Sequence, residues 1–334
     1  MLASSEPTKP RTGWRSPRFT LRGLLVVILL LAIPLGWLAG KISRSQRETS
    51  FANQVRKAGG VARFDYDAAG LAYAPSSPKG HWLLRAAFGK NLFSYLCVVD
   101  LSQVEDPNAF ADDIGRMSQV DTLSLPTGPL SDGLIDNVAA LPNLWNLTLD
   151  GSTITPEQMR RLCKSNAIGS WRLGGAAAAD EILEELQHAD HLPQLTILHS
   201  PTTDRGLKAI SEIDSLHYLA IDQAPAVTNQ GFEHLVQLPN LTFLRIDGTQ
   251  ITGKCVDSLA QMPKLEQLTI TPGMQKLQYQ VRKIYRLDTG TPVDPTKLSR
   301  FDCGPLPADF EVVKCVEVQQ SEIRLEVWDL YIGK

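Results

Sequence analysis

Apolar residues recur along this chain about every 24 residues, and this period constrains the fold more than any other feature. The unit is clearest between Leu241 and Leu265, where Leu244 and Ile246 alternate with polar residues, as in a short strand. A turn follows the strand, and Thr252 then occupies the position of a helix N-cap. The spacing of the next apolar residues predicts one helical face, formed by Val256, Leu259 and Met262.

The same unit can be aligned along about half of the chain. Its first strand position falls at Cys97, Leu123, Leu147, Trp171, Leu198, Leu219, Leu244 and Leu268. Its second strand position follows at Val99, Leu125, Leu149, Leu173, Ser200, Ile221, Ile246 and Ile270. N-cap residues are predicted at Ser131, Thr155, Thr203, Thr228 and Thr252. A strand and helix of this size cannot bury their own apolar sides, so the units are expected to stack. In this alignment the unit led by Leu198 is shorter than the others.

The repeated motif L-x-x-L-x-L-x-x-[ST]-x-I-T resembles that of the leucine-rich repeat family. It is best seen as LWNLTLDGSTIT at 144–155 and LTFLRIDGTQIT at 241–252. The resemblance implies an α/β solenoid with parallel strands on its concave side and helices on its convex side. The family's usual Asn is replaced by Ser152 and Thr249, whose hydroxyls are expected to make the corresponding loop hydrogen bonds. The family's fold does not imply an enzymatic activity.

An uncharged apolar run at 23–40 follows a basic, polar tail at 1–22. As a helix this run would be about 27 Å long, close to the hydrocarbon thickness of a bilayer. Trp37 lies near its end, where interfacial aromatic residues are common. We expect a transmembrane signal-anchor helix; a cleaved signal peptide is the alternative, although no A-x-A site follows the run. Basic residues before the run favour a cytoplasmic N-terminus and extracytoplasmic repeats.

The remaining chain divides into a cap before the repeats and a segment after them. Residues 41–92 are predicted to continue the helix through Lys57 and to add a strand at 61–66 and a helix at 81–93. The repeats occupy 93–271. Residues 272–334 are predicted to form a cap or a small β extension, with a last helix at 274–285 and a β-hairpin from 312–318 and 323–331. The hairpin is expected to cover the far end of the stack; an independent small domain is the alternative. This order is similar to that of bacterial single-span membrane-anchored leucine-rich-repeat proteins, which implies the bacterial inner membrane.

Candidate chemistry is sparse. A net charge of −3 and a pI near 6.1 give no basic footprint for nucleic acid. Of the five cysteines, three are expected to be small buried residues, Cys97, Cys163 and Cys255. Cys303 and Cys315 would be able to form a disulfide if the C-terminal segment lies outside the cytoplasm. The pair His188 and His191 suits either a metal or a solvated helix end, and no catalytic or cofactor motif is present. We therefore expect neither an enzyme nor a cofactor.

The strand residues beside the core positions are predicted to point to the concave face. In this alignment they include Ile197 with His199 and Tyr218 with Ala220, and an acidic column is formed by Asp100, Asp150, Asp222 and Asp247. Neighbouring strands lie about 4.8 Å apart, so Tyr218 and Phe243 are expected to be adjacent. Exposed aromatic residues flanked by Arg and Asp resemble an interaction hot spot. The predicted partner-binding residues are Arg172, His199, Tyr218, Asp222, Phe243, Arg245 and Asp247. The alternative is that the aspartates cap loops and the aromatic rings only stack on each other.

These features predict a non-catalytic, membrane-anchored module that binds a protein or an envelope polymer on the concave repeat face. A structural envelope scaffold without a discrete ligand is one alternative. The second alternative is an enzyme with a site in the C-terminal extension, around Asp302 and Asp309. No converging titratable groups are evident there.

Overall fold

The computed structural model describes the backbone of residues 21–67, 77–251, 262, 264–265, 267–272, 277–286, 310–320 and 323–332, and the side chains of 28–67, 77–251, 262, 264 and 265. Predictions that concern the basic tail up to residue 20, the helix face at Val256 and Leu259, and a disulfide between Cys303 and Cys315 lie outside the described residues or side chains.

The helices alternate with strands along the chain. The α-helices are α1 (Leu21–Lys57), α2 (Trp82–Phe88), α3 (Ala111–Ile114), α4 (Asp132–Ala139), α5 (Pro156–Cys163), α6 (Asp180–Leu183), α7 (Asp204–Ile210) and α8 (Asn229–Leu235). Short 3-10 helices occupy Pro107–Phe110, Gly175–Ala178 and Glu184–His188. The strands are β1 (Val61–Phe64), β2 (Leu96–Asp100), β3 (Thr122–Leu125), β4 (Gly128–Pro129), β5 (Asn146–Asp150), β6 (Ser152–Thr153), β7 (Ser170–Gly174), β8 (Gln194–Leu198), β9 (Tyr218–Asp222), β10 (Phe243–Thr249), β11 (Gln267–Pro272), β12 (Leu277–Arg286), β13 (Phe310–Gln320) and β14 (Ile323–Ile332).

Within the described residues, the largest sheet has the order β1-β2-β3-β5-β7-β8-β9-β10-β11. β1 is antiparallel to β2, and the neighbouring pairs from β2 to β11 are parallel. Parallel neighbours require a crossover connection, and from β2 to β10 each connection contains a helix. The fold is therefore α/β with mostly parallel strands in chain order, as the repeat predicted.

The strand register corrects the predicted alignment in two units. Val99, not Cys97, pairs with Leu123. Leu195, not Leu198, pairs with both Trp171 and Leu219. The first strand position is therefore Val99, Leu123, Leu147, Trp171, Leu195, Leu219, Leu244 and Leu268. The interval is 24 residues throughout except for 25 between Leu219 and Leu244. The predicted short unit was wrong.

Three columns of apolar side chains form a continuous core behind the sheet. The described members of the first strand position, from Val99 to Leu244, are at most 1% exposed. The second position, two residues later, is equally buried at Leu101, Leu125, Leu149, Leu173, Ile197, Ile221 and Ile246. A third column, three residues before the first, is at most 2% exposed at Leu96, Val120, Leu144, Ile168, Leu192, Leu216, Leu241 and Leu265. Burying each such side chain contributes about 1.5–3 kcal/mol, so stacking the units provides the main driving force for folding.

Hydroxyl side chains start the helices as predicted. Four of them accept a backbone N–H at a helix N-terminus: Ser131, Thr155, Thr203 and Thr228. In two cases an aspartate of the preceding unit also accepts from this N-cap residue. Asp204, for example, accepts the backbone N–H of Thr228 at 2.7 Å and its hydroxyl at 2.6 Å. The Ser152 hydroxyl donates to the Pro126 carbonyl at 2.7 Å, which confirms its predicted role in the loop.

The N-terminal edge of the sheet is covered by β1 and by the second half of α1. Phe51, Ala52 and Val55 of α1 are at most 2% exposed. The buried Glu48 carboxylate accepts the backbone N–H of Leu96 in β2 at 3.1 Å. Because an uncovered edge strand exposes unpaired backbone groups, these contacts protect the first unit. The predicted helical continuation through Lys57 and the covering strand are both present.

Two predicted helices differ from the structure. α2 ends at Phe88 instead of residue 93, because Gly89 has a φ of 97°, which leaves the helical region. Beyond it, Leu92 turns into the core. Residues 277–286 form a strand, β12, where a last helix was predicted at 274–285. This segment contains alternating Tyr and Val, which favour a strand over a helix.

The predicted C-terminal hairpin is present. β13 and β14 pair antiparallel, and β12 joins the other edge of β14. The register pairs Val316 with Val327 and Val318 with Leu325, so the predicted apolar residues share one face. That this sheet covers the far end of the repeats remains a prediction.

Candidate interaction site on the outward face of the sheet

The outward face of the sheet is formed by the residues directly before and after each first strand position. In the first strands these are mainly small polar residues: Thr122, Ser124, Asn146, Thr148 and Ser170. Their side chains are intermediate in exposure, whereas their strand neighbours are buried. The face therefore presents a polar surface over β3, β5 and the start of β7.

The character of this face changes at β9 and β10, where two aromatic side chains lie side by side. Tyr218 and Phe243 are direct partners across the two parallel strands. Their ring centroids are 4.4 Å apart and their planes differ by 6°. Both side chains are partly buried. The predicted adjacency is confirmed, and the two rings stack face to face. We call this pair the aromatic stack.

Arg245 lies beside the aromatic stack, between two aspartates. Its Nε atom is 3.3 Å from Oδ1 of Asp222, and its Nη2 atom is 3.9 Å from Oδ2 of Asp247. Oδ1 of Asp222 is buried and has no well-aligned hydrogen bond, so the ion pair with Arg245 is its polar contact. The Arg245 side chain is still 45% exposed. It is thus held in place while its remaining N–H groups face solvent, where they are able to bind an acceptor.

Arg172 occupies the outward face but lies apart from the aromatic stack. It is exposed on β7 and pairs in register with Thr148 and Thr196. β7 and β9 are separated by one strand, so Arg172 is about 10 Å from β9.

His199 does not belong to the site, and its prediction rested on the wrong register. It follows the end of β8 and has a φ of 45°. The equivalent residues, four positions after Leu147, Trp171 and Leu244, are glycines with positive φ: Gly151, Gly175 and Gly248. The chain turns here, so His199 is exposed in a loop. Ile197, predicted beside it, is fully buried in the core. Asp100 also leaves the acidic column, because it pairs with Ser124.

Two outward residues of β8 were missed for the same reason. The register places Gln194 and Thr196 on the outward face, next to Tyr218 and Ala220 of β9. The sequence carried the signal, since Leu192, Leu195 and Ile197 match the L-x-x-L-x-[LI] spacing with the regular interval. Arg172 is therefore linked to the aromatic stack by a strip of uncharged polar residues.

A shallow depression of about 440 Å³ lies near the other end of the outward face. Its lining includes Asp100, Ser124, Thr148 and Asp150. The groups that it offers to a ligand are carboxylates, hydroxyls and the amide of Gln103.

Metal and thiol chemistry finds no support within the part of the chain that the structure describes. No group of three or more His, Cys, Asp or Glu residues is arranged to hold a metal ion there. His188 lies 3.6 Å from Glu185, and the His191 ring lies near Trp145 instead. Cys97 and Cys163 are buried free thiols; burial raises the pKa of Cys97 to about 11 and that of Cys163 to about 12. Both stay protonated at neutral pH and are poor nucleophiles.

Among the described residues, one helix, α1, is long and apolar enough to cross a membrane. Large apolar side chains along this helix are at least 54% exposed: Ile28, Leu29, Leu30, Leu31, Ile33, Leu35 and Trp37. The criterion is one of length and composition, and an N-terminal signal sequence also meets it.

Comparisons with known proteins identify the resemblance but no closer relative. No protein-family model matches the sequence, and no curated protein matches it. One similar solved structure is internalin C2 from Listeria monocytogenes, with 20% identity and a TM-score of 0.35 over 50% of this chain. Another is TLR13 in complex with ssRNA13, with 19% identity and a TM-score of 0.36 over 50% of this chain. The Arabidopsis receptor kinase HAESA ectodomain, in complex with an IDA peptide hormone, is similar over 68% of this chain, with 14% identity and a TM-score of 0.30.

This chain covers 66%, 24% and 45% of those three structures, respectively. It therefore spans less than two thirds of their length. The chain resembles leucine-rich repeat proteins. Because the TM-scores are below 0.5, we infer no ligand or partner from these structures.

Proposed function

We propose that this chain is a single-span membrane protein whose leucine-rich-repeat solenoid binds a protein or an envelope polymer, without catalysis. The outward face of the sheet would be the concave side of the solenoid, and the helices would form its convex side. The single observation that carries the proposal is the aromatic stack beside the half-exposed Arg245. Tyr and Arg are enriched at the centres of protein interfaces, because they combine a large contact area with directional hydrogen bonding.

The geometry around the aromatic stack suits a partner with both an apolar group and an acceptor. The ring surfaces that the stacking leaves open would supply apolar area at a low cost in side-chain entropy, since both rings are already held against each other. Asp222 and Asp247 hold the Arg245 side chain before a partner arrives, which reduces the ordering cost on binding. An acceptor on the partner would then bind the free guanidinium N–H groups.

We further propose that α1 anchors the chain in the bacterial inner membrane, with the repeats outside the cytoplasm. The exposed apolar side chains before residue 38 support an anchor, because they would be costly in water. The basic residues of the tail at 1–22 support a cytoplasmic N-terminus. The buried second half of α1 would connect the span to the first repeat without a flexible linker.

Affinity capture of the full chain from detergent-solubilised native membranes tests binding at the aromatic stack. We expect the double variant Tyr218→Ala, Phe243→Ala to lose at least tenfold in recovered partner, since hot-spot truncations cost about 2 kcal/mol or more. The matched control is Thr122→Ala, Asn146→Ala, which changes the equivalent outward position on the neighbouring strands β3 and β5. The control should retain the partner.

Two other results would count against the proposal. Equal recovery by both double variants would place the partner away from the aromatic stack. Absence of any specific partner for the wild-type chain would favour a structural envelope scaffold. The alternative enzyme site around Asp302 and Asp309 lies outside the described residues, and no specific observation favours it.

A further inference from the structure

α2 is a short helix whose apolar side chains face solvent. None of its residues is buried. Trp82 is 63% exposed, Leu83 53% and Phe88 42%. At about 100° per residue, Trp82, Leu83, Ala86 and Ala87 lie within an arc of roughly 140° on one side of the helix. Large apolar side chains concentrated on one helix face mark a surface that binds something less polar than water.

The polar groups around α2 are turned away or fixed at its ends. The only charged residue in the helix, Arg85, donates to the Pro78 carbonyl at 2.8 Å. His81 caps the helix N-terminus by accepting the backbone N–H of Leu83. Lys79 forms an ion pair with Asp65 at 2.9 Å. Lys90 follows the helix and lies 5.9 Å from the Tyr66 ring. The exposed apolar arc is thus bordered by basic and polar groups, the arrangement of a helix that lies in a membrane interface.

α2 is also located next to the end of the proposed membrane span. The Trp37 ring in α1 lies 6.5 Å from the Phe93 ring. Gly80, two residues before α2, packs so closely on Phe93 that any Cβ there would collide with the ring. The ammonium group of Lys41 lies over Trp37 at 5.6 Å. A Trp and a Lys at the end of a span lie at the level of the lipid headgroups, so Phe93 and the start of α2 share that level.

We propose that α2 lies in the outer surface of the phospholipid bilayer, with Trp82 and Leu83 inserted between the headgroups. This inference rests on the proposed membrane anchoring through α1. The occupant of the apolar arc is lipid because the arc is continuous with the aromatic level of the span, through Phe93 and Trp37.

A second attachment would fix the orientation of the repeats. α1 alone leaves the repeats free to tilt relative to the bilayer. α1 joins the first repeat through Phe51 and Val55, while α2 follows β1, which pairs with the first strand of the array. With both helices attached, the outward face would be held at a defined angle to the bilayer.

Lipid-dependent tryptophan quenching tests this in the full chain reconstituted into nanodiscs. The lipids carry bromine either near the headgroup end or near the methyl end of their acyl chains. Trp82→Phe removes the reporter with little change to the helix, because Trp82 is not buried. The matched control is Trp145→Phe, an exposed tryptophan on the repeats. The contribution of Trp82 is the difference between the wild type and the variant.

We expect Trp82 to be quenched, and about twofold more strongly by bromine near the headgroups, because an interfacial helix inserts only about 5–10 Å. Trp145→Phe should leave lipid quenching unchanged. If the chain resists extraction by alkaline carbonate while Trp82→Phe leaves quenching as in the wild type, the assignment of α2 is overturned and the anchor stands. Release of the wild-type chain by carbonate would overturn both.

A second copy of the chain is the competing occupant. In that case Trp82 would be shielded from brominated lipid, and Trp82→Glu would convert a dimer to a monomer in detergent, measured by light scattering. That result would overturn a lipid-facing α2. A monomeric wild type in which Trp82 is quenched by brominated lipid supports it.

Discussion

β5 and β10 occupy equivalent places in the sheet but carry different outward residues. Their inward positions are interchangeable: Leu147 and Leu149 in β5, Leu244 and Ile246 in β10, all fully buried. Their outward positions are not, because Asn146 and Thr148 of β5 correspond to Phe243 and Arg245 of β10. The inward residues maintain the stacking that every unit needs. The outward residues are free of that requirement, so a difference there points to function.

The largest expected effect comes from breaking the inward similarity. Leu147→Ala and Leu244→Ala should each lower the free energy of unfolding by about 2–5 kcal/mol, because each leaves a cavity in the continuous core. Denaturant unfolding of the full chain in detergent micelles, followed by circular dichroism, measures this. Thr148→Ala is the control. A loss at one strand but not at the other would contradict their equivalence.

The next effect sharpens the outward difference. Arg245→Glu should reduce partner recovery about tenfold, equivalent to about 1.4 kcal/mol, because the new carboxylate would lie beside Asp222 and Asp247 and repel an acceptor. Arg172→Glu, on the same face and about 10 Å from β9, should have a smaller effect. Quantitative capture from solubilised membranes separates the two. An equal loss for both would indicate a diffuse electrostatic surface instead of a localised site.

A smaller effect is expected where each strand connects to its helix. Thr155 starts α5 with a capping box. Its hydroxyl accepts the backbone N–H of Gln158, and the Gln158 side chain accepts the backbone N–H of Thr155. Thr155→Ala should cost about 1 kcal/mol of unfolding free energy. Thr148→Ala, on the outward side of the same unit, should cost less. Thermal unfolding compares them, and similar losses would mean that the cap contributes little.

The smallest effect concerns β2, the first of the parallel strands, whose other neighbour, β1, is antiparallel. Burial raises the pKa of Glu48, against the opposing influence of its Leu96 hydrogen bond, Arg44 and Arg47, while Asp65 raises it further. The native state therefore keeps this proton to a higher pH than the unfolded chain does, and the free energy of unfolding falls as pH rises through that interval. Glu48→Gln should remove this dependence. Unfolding of wild type and variant at pH values above the ordinary pKa of glutamate measures it, with exposed Glu105→Gln as control. Parallel pH profiles for wild type and Glu48→Gln would contradict the assignment.

The sequence predicted the fold where apolar residues had one possible register. Between Leu123 and Leu173 the strand positions were correct because one polar residue separates the two core residues of each strand. They were also correct from Leu219 onward. The first strand, LCVVD, contains four apolar residues in a row, so alternation did not choose between Cys97 and Val99. The register of β2 is set by its pairing with β3, which is a tertiary contact.

β8 failed for a related reason. Leu198 extends the apolar run and is itself 7% exposed, yet the strand register is set by Leu195. The chain turns at His199, whose left-handed φ occurs where three other units have a glycine, and non-glycine residues adopt this conformation too rarely for the sequence to predict it. The aromatic stack was predictable, since both of its strands lie in the correctly aligned part. The contact of Phe93 with Trp37 was not, because it joins segments with no shared pattern.

Photo-crosslinking in native membranes tests most directly the central claim, that binding is concentrated at the aromatic stack. A photoreactive phenylalanine analogue is introduced at position 243 or at position 146, the equivalent outward position of β5. We expect a specific adduct of the full chain from position 243, and a much weaker one from position 146. Adducts of equal yield from both positions, or none from position 243 while position 146 reacts, would contradict it.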